Sequence, residues 1–142
     1  MNRITPIFLA TLLGLAGHAL AQEKVDIKGI TPKIKIEEVV YGHLAEINGK
    51  YKLRATEVTF APGAYIGPHH HIGPGIRFVV SGQLAFTEVG KTIIYKAGDY
   101  FYETGNVVHT AQNRTKSPVR VIFFEILPGK AEGPTVIVPK VF

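Results

Sequence analysis

Short runs of apolar, or alternating apolar and polar, residues separated by Gly, Pro, Asn and Asp recur along most of this chain. Successive side chains of an extended strand point to opposite faces, so this pattern indicates strands that bury at least one face. Helical periodicity is scarce. Many short strands in one domain-sized chain of 142 residues predict an all-β sandwich or barrel, preceded by a loose segment over 22–32. The predicted strands cover residues 33–41, 51–60, 76–80, 84–89, 91–97, 100–103, 119–127 and 135–138.

The first 21 residues have the pattern of a secretory signal peptide. Arg3 precedes an apolar segment, Ile7 to Leu20, which is too short and interrupted to cross a bilayer comfortably. The segment ends in Ala19-Leu20-Ala21, a small-residue cleavage site. We therefore expect cleavage before Gln22 and a periplasmic or extracellular mature domain over 22–142, no longer held at a membrane. The alternative interpretation is an N-terminal anchor helix.

Composition excludes several kinds of chemistry. The chain has no cysteine, so disulfides, thiolate metal ligands and a cysteine nucleophile are ruled out. Its formal net charge is +5, but the lysines and arginines are scattered and form no basic helix. This distribution is typical of a solvated surface, and we expect no nucleic-acid partner.

Three consecutive histidines, residues 69–71, are the most specific chemical feature. In a strand His69 and His71 share one face, and His70 points to the other. Two imidazoles at that spacing can hold one metal ion, and His109 in GNVVHTAQN is the candidate for a third ligand from a neighbouring strand. His43 lies in a loop-like stretch, and we expect it to be solvated.

The histidines stand in a pattern that resembles the first motif of the cupin family. That motif places a glycine five residues before H-x-H, a glutamate three or four residues later, and a glycine six residues beyond. Gly63, His69, His71 and Gly82 occupy the matching positions, but Gly75 stands where the family has the glutamate.

A second stretch resembles the second cupin motif at full spacing. Gly98, His109 and Asn113 match the motif, whereas Thr104 and Asn106 replace its proline and second glycine. The motifs span about residues 50–115, and the resemblance implies a jelly-roll β-barrel with metal ligands inside.

The resemblance implies one divalent ion, Fe, Zn, Mn, Ni or Cu, held by His69, His71 and His109. The set is similar to that of cupin oxygenases that lack the carboxylate. Without the glutamate the ion keeps its full charge, which favours an anionic ligand and lowers the pKa of bound water. Gly75→Glu is expected to restore the fourth ligand, provided that the barrel has room.

Several other residues are candidates for a role in the site. Arg77 follows Gly75 by two residues, so it can face inward, where it either clamps a substrate carboxylate or pairs with Glu88, Glu103 or Glu125. Glu103 and Glu125 are themselves candidates for a replacement ligand or a general base. The aromatic residues that either line a pocket or fill the core are Tyr65, Phe101, Tyr102 and Phe124.

Three functions fit these observations. The first is a metal-dependent oxygenase acting on a small anionic or phenolic compound. The alternatives are a module that binds a metal or small ligand without turnover, and a hydrolase or isomerase using metal-bound water.

Residues 119–127, VRVIFFEIL, are apolar at both parities of the predicted strand. This is more apolar surface than one buried face requires, so the segment predicts a homodimer.

Overall fold

The computed structural model describes residues 24–140, so the predicted signal peptide and its cleavage site lie outside the described residues. The described chain is all-β, as the sequence predicts. No helix in 24–140 has the length and hydropathy of a membrane span. The strands are β1 (Ile27–Val39), β2 (Tyr51–His71), β3 (Gly75–Ser81), β4 (Gln83–Glu88), β5 (Lys91–Lys96), β6 (Tyr100–Glu103), β7 (His109–Gln112), β8 (Val119–Pro128) and β9 (Val136–Ile137).

The long strand β2 connects the two sides of the barrel. Its first half pairs with β8 from Tyr51 to Phe60, and its second half pairs with β7 from Tyr65 to His69, in both cases antiparallel. Between the halves the chain bends at Gly63, whose φ of 72° favours glycine. The strand order β5-β4-β7-β2-β8-β3-β6 rolls up into a nearly closed jelly-roll barrel.

The strands bury alternate residues inside the barrel. Every second residue of β8 is buried from Val119 to Leu127, and the same alternation runs through the first half of β2. The core residues at the centre of the barrel include Phe60, Val79, Leu84, Phe86, Val119 and Val121.

Asn113 fixes the end of β7 against the bend of β2. Its buried amide nitrogen donates to the carbonyl oxygens of Phe60, Ala61 and Ser117 at 2.8–3.1 Å. Its amide oxygen accepts from Thr115. The asparagine of the second motif is therefore structural in this chain, and it helps to hold His109 against β2.

The expectation of a loose segment over 22–32 is wrong from Ile27 onward. Strand β1 begins there and pairs with β2, with Ile30 opposite Phe60 and Glu37 opposite Arg54. The sequence predicts the part of this strand from residue 33 onward but not residues 27–32. That first part shows little apolar alternation, because β1 lies at the edge of the sheet with almost all its residues exposed.

The outer surface of the sheet formed by β1, β2, β8, β3 and β6 is apolar. Register places the side chains of Ile36, Ala55, Phe124, Ile76 and Tyr102 side by side across these strands. We call this surface the outer apolar face; its exposed large residues are Ile36, Leu53, Ile76, Tyr100, Tyr102, Phe124 and Ile126.

Candidate metal centre

Three histidines converge inside the barrel. His69 and His71 point inward from β2, and His109 of β7 is the direct ladder partner of His69. All three are buried, and their candidate ligand atoms lie within 4.8 Å of one another. His70 has the opposite parity and pairs with Ile137 of β9.

Backbone carbonyls fix the orientation of two of the rings. The Nδ1–H of His69 donates to the oxygen of Gly67 at 2.8 Å, and that of His109 donates to Val107 at 3.0 Å. A carbonyl oxygen only accepts, so the proton of each ring is assigned to Nδ1. The Nε2 atoms of both rings then carry a bare lone pair toward the centre, the form in which imidazole binds a metal.

Thr135 fixes the third ring. Its hydroxyl donates to Glu125 Oε1 at 2.9 Å, so its oxygen is free to accept from the Nδ1–H of His71 at 3.3 Å. His71 therefore also presents a bare Nε2. Sequence reasoning missed Thr135, because this residue lies in a segment far along the chain from His71.

Burial keeps the imidazoles of His69 and His71 neutral. Loss of solvent lowers the pKa of His69 to about 4, and the neighbouring His109 contributes further. Loss of solvent lowers the pKa of His71 to about 2, with Arg77 adding to the effect. Both rings are therefore unprotonated at neutral pH, as metal binding requires.

The Glu103 carboxylate approaches two of these rings from β6. Its Oε2 lies 3.3 Å from His71 Nε2, and its Oε1 lies 3.6 Å from His109 Nε2. Within residues 24–140 neither Nε2 atom has a hydrogen-bond partner. Buried polar atoms are nearly always satisfied, so this orphaned set fits a cation.

Arg77 lies beneath the centre and is fully buried. Its guanidinium pairs with Glu103 and, at 3.5 Å, with Glu125, and it stacks 4.3 Å from the Phe123 ring centroid. Strand parity therefore predicted its inward direction correctly. Of the alternatives that the sequence left open, the structure places Arg77 against Glu103 and Glu125.

Gly75 leaves space that Arg77 uses. A Cβ atom at Gly75 would lie 2.2 Å from Arg77 Nη1 and 2.5 Å from the backbone oxygen of Phe124. The barrel therefore has no room for the glutamate that the family carries at this position, and the condition on which Gly75→Glu was expected to restore a ligand is not met.

A cavity of about 530 Å³ reaches one of the three histidines, His71, beside Thr135 and Glu125. Its polar lining includes His71, Arg54 and Glu125, and most other lining residues are apolar. Of the four aromatic candidates, Phe101 lies in the core, whereas Tyr102 and Phe124 lie on the outer apolar face and do not line this cavity. The fourth, Tyr65, does not line it either, and its hydroxyl donates to Asp26 Oδ2 at 2.6 Å. The apolar lining residues are Ile27, Ile30, Pro32, Ile34, Val58, Ile66, Phe123, Pro134 and Val136.

The sequence model of the Cupin domain family matches residues 56–125, the part of the chain that carries the histidines, Glu103 and Arg77. The chain belongs to the cupin family. A search of curated protein sequences finds no match.

Solved structures share the cupin fold with this chain. KdgF from Halomonas sp. is 24% identical over 70% of this chain and 84% of its own, with a TM-score of 0.54. The polyketide cyclase RemF from Streptomyces resistomycificus is 16% identical over 80% of this chain and 77% of its own, with a TM-score of 0.58. A cupin domain from Bordetella pertussis Tohama I is 19% identical over 69% and 93%, with a TM-score of 0.53. At these identities the likeness concerns the fold alone.

Proposed function

We propose that this cupin binds one divalent metal ion through His69, His71 and His109 and presents it to a small molecule in the cavity. The observation that carries the proposal is the convergence of three buried imidazoles, each held by its Nδ1. One of them, His71, also lines the cavity. A bound ion would supply Lewis acidity there and, in the case of iron, redox chemistry with O2.

The lining of the cavity favours a mainly apolar ligand. A volume of about 530 Å³ suits a small molecule of one or two rings. An ion held by neutral histidines alone would keep its full positive charge. Here the carboxylates of Glu103 and Glu125 lie beside Arg77 near the centre and offset part of that charge. We therefore favour a phenolic compound over a strongly anionic one, with its hydroxyl directed to the ion and its ring against Phe123 and the aliphatic side chains.

Oxygenase chemistry is the first candidate activity. Iron-loaded protein is mixed with a panel of phenols and catechols, and O2 uptake is compared with that of His109→Ala protein treated in the same way. Uptake that depends on both His109 and one class of phenol would support the oxygenase. Absence of uptake for every phenol, in protein that retains iron, would exclude it.

Binding without turnover is the second candidate. The polar groups around the centre are already engaged with one another, because Arg77 pairs with both carboxylates and Thr135 donates to Glu125. This arrangement leaves no evident group for proton transfer to a substrate, which favours capture of a ligand over a hydrolase or isomerase reaction. Calorimetric binding of a phenol that is recovered unchanged would support this candidate.

We also propose export and dimerisation. The export proposal rests on the signal-peptide pattern over residues 1–21, and mass spectrometry of protein from the periplasm or medium tests it through a mature N-terminus at Gln22. An intact Met1 in a membrane fraction would contradict it.

The dimer proposal rests on the outer apolar face, whose cluster of exposed large apolar side chains is unusual for the surface of a monomer.

A further inference from the structure

Glu103 stands opposite the position at which the sequence lacks a carboxylate. In the ladder between β3 and β6, Glu103 is the direct partner of Gly75. Paired residues of an antiparallel ladder point to the same side of the sheet, so a carboxylate on β6 can reach the centre that a side chain at Gly75 would otherwise have reached. The Glu103 side chain is buried and faces the histidines.

Arg77 pairs with this carboxylate, but the contacts of the carboxylate with the two histidines are unfavourable unless a further cation lies between them. Its two oxygens lie 3.3 Å from His71 Nε2 and 3.6 Å from His109 Nε2, and these distances join acceptors to acceptors. The protons of both rings are engaged on Nδ1 by Thr135 and Val107. Lone pairs from three side chains therefore face one another with no proton between them, an arrangement that a shared metal ion would stabilise.

Arg77 and Gly75 hold the carboxylate in place. The guanidinium of Arg77 pairs with Oε2 of Glu103, so Oε1 remains directed toward His109. The guanidinium can lie there only because Gly75 has no side chain, since a Cβ would sit 2.2 Å from Nη1. Gly75, Arg77 and Glu103 thus form one arrangement in which the carboxylate is supplied by the neighbouring strand.

We propose that Glu103 is the fourth protein ligand of the metal ion, with Arg77 as the residue that positions it. This inference rests on the proposed function of the three histidines. It makes the centre a three-histidine, one-carboxylate site, whose carboxylate comes from β6 and not from the first motif.

Two variants of Glu103 and one matched control separate ligation from simple electrostatics. Glu103→Gln removes the charge and keeps the shape, whereas Glu103→Asp keeps the charge and withdraws the carboxylate by one methylene. Glu125→Gln removes the other carboxylate that pairs with Arg77, but Glu125 approaches His71 on the Nδ1 side at 3.5 Å. Zn(II) affinity is measured by chelator competition, and the coordination is read from the visible spectrum of the Co(II) protein.

If Glu103 is a ligand, Glu103→Gln lowers Zn(II) affinity on the order of 100-fold. This loss is at or above the largest one expected for a residue that only hydrogen-bonds to a metal ligand. Glu103→Asp also weakens binding, and both variants change the Co(II) spectrum. Glu125→Gln weakens binding by no more than about tenfold and keeps the wild-type spectrum.

Equal losses for Glu103→Gln and Glu125→Gln, with unchanged Co(II) spectra, would overturn the inference and leave the histidine site intact. If Glu103→Gln does not fold, Glu103→Asp decides, and wild-type affinity and spectrum in that variant would overturn the inference. Wild-type protein that binds Zn(II) no better than His71→Ala would overturn the proposed function itself, and the inference with it.

Discussion

At the scale of single residues, the centre depends on neutral, oriented imidazoles. The partner of each Nδ1 differs: a local carbonyl for His69 and His109, and a distant hydroxyl for His71. Burial then disfavours protonation, which holds the pKa of His69 at about 4 and that of His71 at about 2. In the metal-free protein, the imidazoles of His69 and His71 therefore take up protons near pH 6 only when the chain unfolds.

This difference predicts a pH-dependent stability of the metal-free protein. The unfolded chain binds protons at these histidines below about pH 6.5, whereas the folded chain does not, so stability falls as the pH drops from about 6.5 through about 4. His69 alone accounts for a loss on the order of 3 kcal/mol. Urea unfolding of metal-free protein between pH 7.5 and 4 measures the loss. His69→Gln should flatten the curve, and an equally steep curve in that variant would contradict the account.

Strand parity was enough to predict part of the site from the sequence. It indicated that His69 and His71 share a face and that His70 does not, because side chains alternate along a strand whatever its neighbours are. Counted from Gly75, it also indicated that Arg77 can face inward. It could not predict how close Glu103 lies to the histidines, since that depends on the register between β3 and β6. The role of Thr135 could not be predicted for the same reason. Its contact with His71 joins residues far apart in the chain, and such a contact leaves no pattern in the local sequence.

At the scale of strands, Arg54 connects the two segments that border the cavity mouth. It is buried on β2, pairs with Glu37 of β1, and donates from Nη1 to the oxygen of Gly133 at 2.8 Å. The neighbouring Lys52 pairs with Glu37 at 2.8 Å but has no hydrogen bond to the segment before β9 among the described residues. Arg54 thus holds both β1 and the segment around Gly133 to β2.

We predict that Arg54→Met loosens β1 and the segment around Gly133 together. Amide hydrogen exchange should accelerate in 34–39 and 129–135, because the variant loses both attachments. Lys52→Met, the matched control, should accelerate exchange in β1 only. Acceleration of the same two segments by both variants would contradict a special role for Arg54.

The positions of the strands were more predictable than their partners. Most predicted strands agree with the structure to within a few residues, because each carries its own alternation and turn signals. The predicted strand over 51–60 is too short, because β2 continues through residues 61–71. The short strand β7 and the first part of β1 were missed. The former has four residues, and the latter is exposed along nearly its whole length, so neither shows a clear period.

At the scale of the whole molecule, the outer apolar face predicts self-association. Strands β1, β2, β8, β3 and β6 carry a continuous set of apolar side chains there, with an exposed Arg120–Glu57 ion pair farther along β2 and β8. Such a surface is self-complementary about a twofold axis, since each copy offers the same apolar strip.

Light scattering at micromolar concentration should therefore give twice the mass of the mature chain. Phe124→Glu, at the centre of the face and 45% exposed, should yield a folded monomer because it places a charge in the interface. Lys91→Glu on the exposed end of β5 is the control and should remain dimeric. A wild-type monomer would refute the dimer without affecting the metal site.

The central claim is that three histidines, and not the adjacent fourth, hold a metal ion inside the barrel. Chelator competition with His70→Ala, His71→Ala and His109→Ala measures this directly. His71→Ala and His109→Ala should each lower the affinity on the order of 100-fold or more, because each removes one of three nitrogen ligands. His70→Ala should leave it within a few-fold of wild type, because His70 lies on the opposite face of β2. Equal losses for His70→Ala and His71→Ala, or no loss for His109→Ala, would contradict the account.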